Sequence, residues 1–335
     1  MRQLIKYLKG ARFISILCPL IMLIEVYCDL MQPKILADII NVGVTNKDLS
    51  YVYNKGIILV ILALIGMASG IACVVLASIA STRFACNLRG DLFLKIQSFD
   101  LKSINRLSPS SLIVRLTNDV VTLQNLLMQA LRMMVRAPLL FLGGIIMAIT
   151  INYKLALILL VSVPVLVLVI VITIKKGFPV FNKVQTMLDG LNNVIQENLL
   201  GIRVVKNYVK EEEETKKFIN SSENFTETNI RAAQTMTIIG PIMNLIMNVS
   251  IVGVLWFGGF LYQNNSIQAG SIISFITYIT QILSSLRMLS VILVNFSRAK
   301  VSVNRVTEVL NTHPGIRNDS EEGETGINSG SIEFE

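Results

Sequence analysis

Charge is scarce in this chain. Only 16% of its 335 residues are Asp, Glu, Lys or Arg, against 53% hydrophobic residues, a balance that excludes an ordinary soluble domain. A single histidine, His313, and four cysteines without paired spacing (Cys18, Cys28, Cys73 and Cys86) give no support to a zinc centre or a disulfide framework. The eight prolines leave three long gaps: Ile57 to Ser108, Val180 to Gly240 and Ile242 to His313. Proline breaks helices by clashing with the preceding turn and removing a donor, so each gap can stay helical throughout.

Uncharged runs near the ~20 residues needed to cross ~30 Å of hydrocarbon are present in their place. Four are plain: Ile57 to Ser81, Leu155 to Ile174, Met236 to Leu261 and Ala269 to Leu286. Phe13 to Leu30 contains two carboxylates, and Ala137 to Ile151 is short unless extended past Arg136. Counting both gives an all-α membrane protein with six transmembrane helices. The basic start followed by an apolar run resembles a secretory signal, but no small-residue cleavage site follows and Glu25 and Asp29 interrupt the run, so a retained first helix is predicted.

Lysine and arginine set the expected orientation. Placing the N-terminus, the two long loops and the C-terminal part on one side puts 26 of the 30 basic residues there. The positive-inside rule makes that side cytoplasmic, with both termini inside and the plasma membrane as the predicted location. The net charge of +8 suits anionic membrane lipids. Nucleic acid is not an expected partner, because the basic residues are dispersed around membrane-flanking helices and mixed with acids.

The loops are uneven: those on the outer side are short, whereas the inner segments run from about Thr82 to Leu131 and from about Lys175 to Thr235. The 25 or so positions from Thr82 to Arg106 would carry the second helix roughly 35 to 40 Å beyond the bilayer, and Leu88, Leu92, Ile96 and Phe99 recur at the spacing of a packed helix face. An amphipathic helix lying on the membrane is the alternative. In "NRLSPSSLIVRLTNDVV", Pro109 breaks the descent, Leu112, Ile113 and Leu116 form an apolar side, and Asn118 or Asp119 could cap the returning helix. The segment is expected to be a short docking helix between two turns. In the second inner segment, "IRVVKNY" presents Val204, Val205 and Tyr208 beside Arg203 and Lys206, an apolar knob with a charged rim. The acidic run after it predicts i, i+4 pairs Glu212 with Lys216 and Glu213 with Lys217.

Taken in order, "EVYCDLMQP", "LRGDLF", "SSLIVRLTNDVVTLQNL", "ENLLGIRVVKNYVKEE", "VLWFGG" and "GSIEFE" resemble the transmembrane domain of a type IV ATP-binding-cassette (ABC) exporter, most nearly one half of a bacterial heterodimeric multidrug exporter. The resemblance implies six transmembrane helices with long cytoplasmic extensions. It makes Ser110 to Asp119 a first coupling helix and about Asn207 to Glu213 a second, with Ser110, Arg115, Thr117, Asn118, Asp119, Lys206, Asn207, Tyr208 and Glu211 meeting nucleotide-binding domains. Many relatives have Gly where Ser110 stands, which bears on the turn rather than the role. ATP and magnesium are implied in a motor that this chain lacks, since no G-x-x-x-x-G-K-[ST] loop occurs in it. On this reading residues 1–312 are the exporter domain, 313–329 a polar linker and 330–335 the first strand of the missing nucleotide-binding domain, and the chain alone hydrolyses no ATP.

Within the spans, Glu25, Asp29 and Gln32 share one helix face. A charge at mid-span costs at least ~2.5 to 3.5 kcal/mol, so these groups are expected to face a cavity that attracts cationic amphiphiles, or to meet water or a basic side chain. Asn244 and Asn248 beside the Pro241 kink, and Gln281 with Ser285, are further cavity candidates, with interhelical bonding as the alternative use. Arg132, Arg136 and Arg287 are expected at the cytoplasmic mouth, Met-rich positions along soft walls, and Gly66 with Gly70 at a close helix contact. The expected activity is outward movement of amphipathic drugs or lipid-like compounds by alternating access, with a sister subunit as the second half. A non-transporting assembly or regulatory subunit, and a peptide or lipid exporter of the same architecture, are the alternatives.

Overall fold

The structure is a computed structural model that describes residues 2–312. The proposed linker and the onset of a further domain, 313–335, lie outside the described residues. Among the described residues there are helices and turns and no strand. A 3-10 turn, Arg2–Leu8, leads into α1 (Arg12–Asp38), which continues as a π-helical turn, Ile39–Val44. Next come α2 (Leu49–Gln97), α3 (Leu101–Leu107) and α4 (Pro109–Val114), then a π segment, Arg115–Asp119, and α5 (Val120–Ile151). They are followed by α6 (Tyr153–Leu200), α7 (Ile202–Asn207), α8 (Glu211–Thr237), α9 (Ile239–Gln263) and α10 (Ala269–Asn311). Among the described residues six helices are long and apolar enough to cross a membrane, and they overlap the six runs found in the sequence.

The proline gaps hold long helices, α2 being 49 residues and α10 43, but none is helical throughout: the first breaks after Gln97, the second at Gly201 and after Asn207, and the third between α9 and α10. The descent of α2 is nevertheless shorter than predicted. It ends at Gln97, so the part beyond Thr82 extends about 24 Å rather than 35 to 40 Å. At Asp100 the backbone is extended, and the carboxylate accepts the Ser103 N–H at 2.9 Å. That N-cap, with Phe99 and Ile104 positioned as the apolar pair flanking it, starts α3 without any proline. Near Pro241 the break falls at Ile238, within a turn of the proline.

By their contacts the helices group into two compact units. The first (Met1–Met22, Gly70–Val135 and Val291 onward) has a core of Tyr7, Leu88, Leu92, Phe99, Leu107, Leu112, Val120, Val303 and Val306, among others. The stripe Leu88, Leu92 and Phe99 is therefore covered by protein, with Ile96 packed at its edge, and the alternative of a helix lying on the membrane does not hold for it. Gly10, with φ +84°, makes the reversal between the 3-10 turn and α1 that a side chain would strain. Asn87 donates to the Tyr7 and Lys9 carbonyls, both at 3.1 Å, and fixes that turn on α2. The second unit (Leu23–Ser69 and Arg136–Ser290) packs α6 along α8 and α9 and buries Phe275, Tyr278, Ile279 and Ile282 of α10. Tyr278 donates to the Leu30 carbonyl at 2.6 Å, and Ser274 donates to that of Pro33.

Candidate functional site

Three places combine exposure or charge with a defined geometry: the reversal around α3, the reversal around α7, and a charged cluster inside the spans.

At the first reversal the short helix set between two breaks is α3, not Ser110 to Asp119. Ser108 has φ 57° and turns the chain, and its hydroxyl accepts the Ser111 N–H at 3.4 Å with Pro109 in the first helical turn. From there α4, the π segment and α5 follow with no second turn. Asn118 and Asp119 therefore cap nothing. Of the predicted docking groups, Ser110, Thr117 and Asn118 are exposed, whereas Arg115 and Asp119 are buried. On α3 itself Leu101, Lys102, Asn105 and Arg106 face outward, Leu101 with 78% of its surface accessible.

The second reversal matches the expected knob. Gly201 ends α6, and α7 has no buried residue. Leu199, Leu200, Val204, Tyr208 and Val209 are all exposed, Tyr208 at 73% and Val209 at 79%. Val209 has φ 53°, a conformation that a β-branched side chain adopts only under strain. Lys206, Asn207 and Tyr208 point outward, and Lys206 meets Glu211 at 3.0 Å. That ammonium holds the Glu211 carboxyl below the ordinary range. The pairs predicted for the acidic run do not form: Lys217 meets Glu197 at 2.9 Å and Glu214 at 4.0 Å, and Lys210 pairs with Glu213. The contact with Glu197 raises the Lys217 pKa. Glu211 to Glu214 fill the first turn of α8, where negative charge complements the unpaired N–H groups of the helix start.

Inside the spans, Arg136 of α5, expected at the cytoplasmic mouth, is drawn to α1. Its guanidinium reaches both carboxylates of α1, pairing with Glu25 through Nη1 and with Asp29 through Nη2 at 2.8 Å. Gln281 adds a 3.3 Å bond to the Asp29 carbonyl while its own Oε1 is buried without a donor. Glu25 is buried, and Asp29 and Gln32 are half-buried. The structure thus brings Glu25, Asp29 and Gln281 together and adds an arginine that the sequence reading had placed elsewhere. Two carboxyl groups share the one guanidinium. Ser285 is withdrawn from the cavity candidates, because it is 1% exposed and its hydroxyl bonds the Ile282 carbonyl at 2.6 Å. Asn244 and Asn248 are exposed on α9.

The model of the ABC transporter transmembrane region matches residues 15–286. The chain belongs to that family. It is 35% identical to the uncharacterized ABC transporter ATP-binding protein YfiB of Bacillus subtilis, over all of this chain and 58% of the relative. A second uncharacterized ABC transporter ATP-binding protein, from Mycobacterium tuberculosis, is 30% identical over 93% of the chain and 54% of its own length. The multidrug resistance-like ATP-binding protein MdlA of Buchnera aphidicola is 25% identical over 69% of the chain and 38% of its own length. The chain spans little more than half of the first two relatives. In fold it is the exporter-type transmembrane domain of the family, a multi-pass helical membrane protein.

No G-x-x-x-x-G-K-[ST] loop occurs in the sequence, and among the described residues no three His, Cys, Asp or Glu side chains gather to hold a metal ion.

Proposed function

We propose that this chain is the transmembrane half of an ATP-driven exporter of the plasma membrane, with both termini in the cytoplasm and a second half, a sister subunit, completing the pathway. Its substrates are amphipathic compounds carrying a positive charge. The carboxyl groups of Glu25 and Asp29, which share Arg136, attract the cation, while exposed apolar and amide groups of α9, Asn244 and Asn248 among them, meet the rest of the molecule. Nucleotide-binding domains, which carry ATP and magnesium, engage the exposed faces of α3 and α7. A shift between inward- and outward-open states follows only if those domains bind the two states unequally.

The observation that carries this reading is the apolar knob of α7. Leu200, Val204, Tyr208 and Val209 lie between polar segments and are 80, 60, 73 and 79% exposed. A contiguous exposed apolar patch rimmed by polar residues marks an interaction surface. The test is ATP-dependent uptake of a fluorescent lipophilic cation into inside-out proteoliposomes containing the whole transporter. Uptake that is abolished by Asp29→Asn, with an uncharged analogue unaffected, supports the reading. ATP hydrolysis with no movement of any amphiphile, cationic or neutral, favours a non-transporting assembly subunit.

A further inference from the structure

Arg115 and Asp119, expected at a docking surface, are instead turned into the protein, and apart from Ser111 the partners named here lie on the last three turns of α10. Arg115 Nη1 lies 2.8 Å from Glu308 Oε2 and donates to the Arg305 carbonyl at 3.0 Å, while its Nε reaches Ser111 Oγ at 3.3 Å. Ser302 donates to Asp119 Oδ1 at 2.7 Å, and Arg305 Nε stands 3.8 Å from Asp119 Oδ2. That Oδ2 is buried and accepts no hydrogen bond, so Arg305 is its compensating charge.

Arg115 and Asp119 stand at the two ends of the π segment, four residues apart, a spacing that places both side chains on one helix face. The carbonyl of Leu116 within the segment is taken by Arg89 of α2 at 3.2 Å. The pairings run in opposite senses, 115 with 308 and 119 with 302, which forms two polar rungs between antiparallel helices. Val303 and Val306 fill the space around them, buried against Leu112 and Val120. The α10 partners are accessible at their outer ends, the Glu308 side chain at 55% and Arg305 at 44%.

We propose that Arg115 and Asp119 are positioning residues that clamp the first inner reversal to the end of α10, so that displacement of either is passed to the other. They act through α10 and do not touch a nucleotide-binding domain. This rests on the exporter reading for its consequence in transport, though not for the clamp itself.

The experiment uses the complete transporter in lipid nanodiscs and proteoliposomes. Glu308→Gln removes the accessible end of one rung and leaves Arg115 its Arg305 and Ser111 bonds, so basal ATP hydrolysis and the melting temperature should match wild type. Substrate moved per ATP should fall about five- to tenfold, the scale of a lost coupling between sites, and Glu308→Asp should restore it. A wild-type transport ratio in Glu308→Gln overturns the clamp, as does a fall in melting temperature that accounts for the whole loss. A second readout needs no transport: spin labels at the exposed positions Asn105 and Asn304, in a Cys86→Ser background, report the separation of α3 from α10. The distance distribution should be narrow in the parent and broad in Asp119→Asn/Glu308→Gln, and equal widths overturn the proposal even if the protein exports nothing. Broadening without any ATP-driven transport in the parent keeps the clamp and overturns the exporter reading.

Discussion

Arg136 and Asp29 form an ion pair inside the membrane-spanning part of the chain, Nη2 to Oδ2 at 2.8 Å, and Glu25 shares the same guanidinium. The two carboxylates sit one turn apart on α1, so a single planar fork from α5 can meet both.

Loss of that fork should be costly. Arg136→Gln leaves two carboxylates in apolar surroundings with no cation. Removing one partner of a buried pair costs about 3 to 5 kcal/mol, and the low end is expected here because part of the guanidinium is accessible. Thermal unfolding in detergent should show the drop for Arg136→Gln and a return towards wild type for Glu25→Gln/Asp29→Asn/Arg136→Gln. If the triple variant melts no higher than the single one, charge compensation is not what holds these helices.

Cys18 and Cys73 place their sulfurs 3.0 Å apart, both residues fully buried. A membrane-permeant two-electron oxidant such as diamide should take a hydrogen from each thiol and join α1 to α2. After unfolding, two of the four cysteines should then resist alkylation, and Cys73→Ser should abolish the effect. A water-soluble maleimide should label native protein at Cys86, the exposed one. Four alkylatable thiols after oxidation would show that the two sulfurs do not meet in the folded protein.

The apolar spans were legible because hydropathy is a local property that acts on every turn. The position of the first reversal was not. Pro109 is the conspicuous breaker, yet the earlier stop comes from the Asp100 cap, which looks in sequence like one more polar residue on an amphipathic helix. The fate of Arg115 and Asp119 was further out of reach, since Arg305 and Ser302 lie 190 and 183 residues away. A charge in an amphipathic segment reads as solvent-facing unless its partner is known. Arg136 misled in the same way: Glu25 and Asp29 signalled a need for a cation, but nothing local said that α5 supplies it.

Gly66 was expected to allow a close helix contact, and a Cβ there would stand 3.4 Å from Cys28 Cβ of α1. A tighter approach, to backbone, is at Gly270, where a Cβ would fall 2.6 Å from the Ala37 carbonyl oxygen and 2.7 Å from Asn41 Oδ1. Asn41 Oδ1 also accepts the Gly270 N–H at 2.8 Å. Gly270→Ala should therefore destabilise by about 1 to 3 kcal/mol, the usual range for forced overpacking. Gly253→Ala, with open space around it, should be neutral or stabilise by up to about 1 kcal/mol through helix propensity. Equal melting temperatures for the two variants would count against this contact.

The two reversals can be separated by substitution. Tyr208 and Val204 are exposed and belong to no core, so Tyr208→Ala and Val204→Ser should alter stability by no more than about 0.5 kcal/mol. If the knob is half of an interface, the same changes should lower ATP-driven transport about tenfold, since truncating a well-packed anchor commonly costs more than 1 kcal/mol of binding. At the first reversal the choice lies between α3 and the exposed groups beyond Pro109. Leu101→Ser should impair transport as Tyr208→Ala does, because Leu101 is the large apolar side chain that α3 presents outward. Ser110→Ala, Thr117→Ala and Asn118→Ala should be mild by comparison, each removing a small polar group that water already satisfies. The reverse ranking, with Thr117 and Asn118 essential and Leu101 dispensable, would move the docking surface back to the segment beyond Pro109. It would leave α3 as a spacer, since a helix of that length with a dispensable outer face has no other claim on a partner.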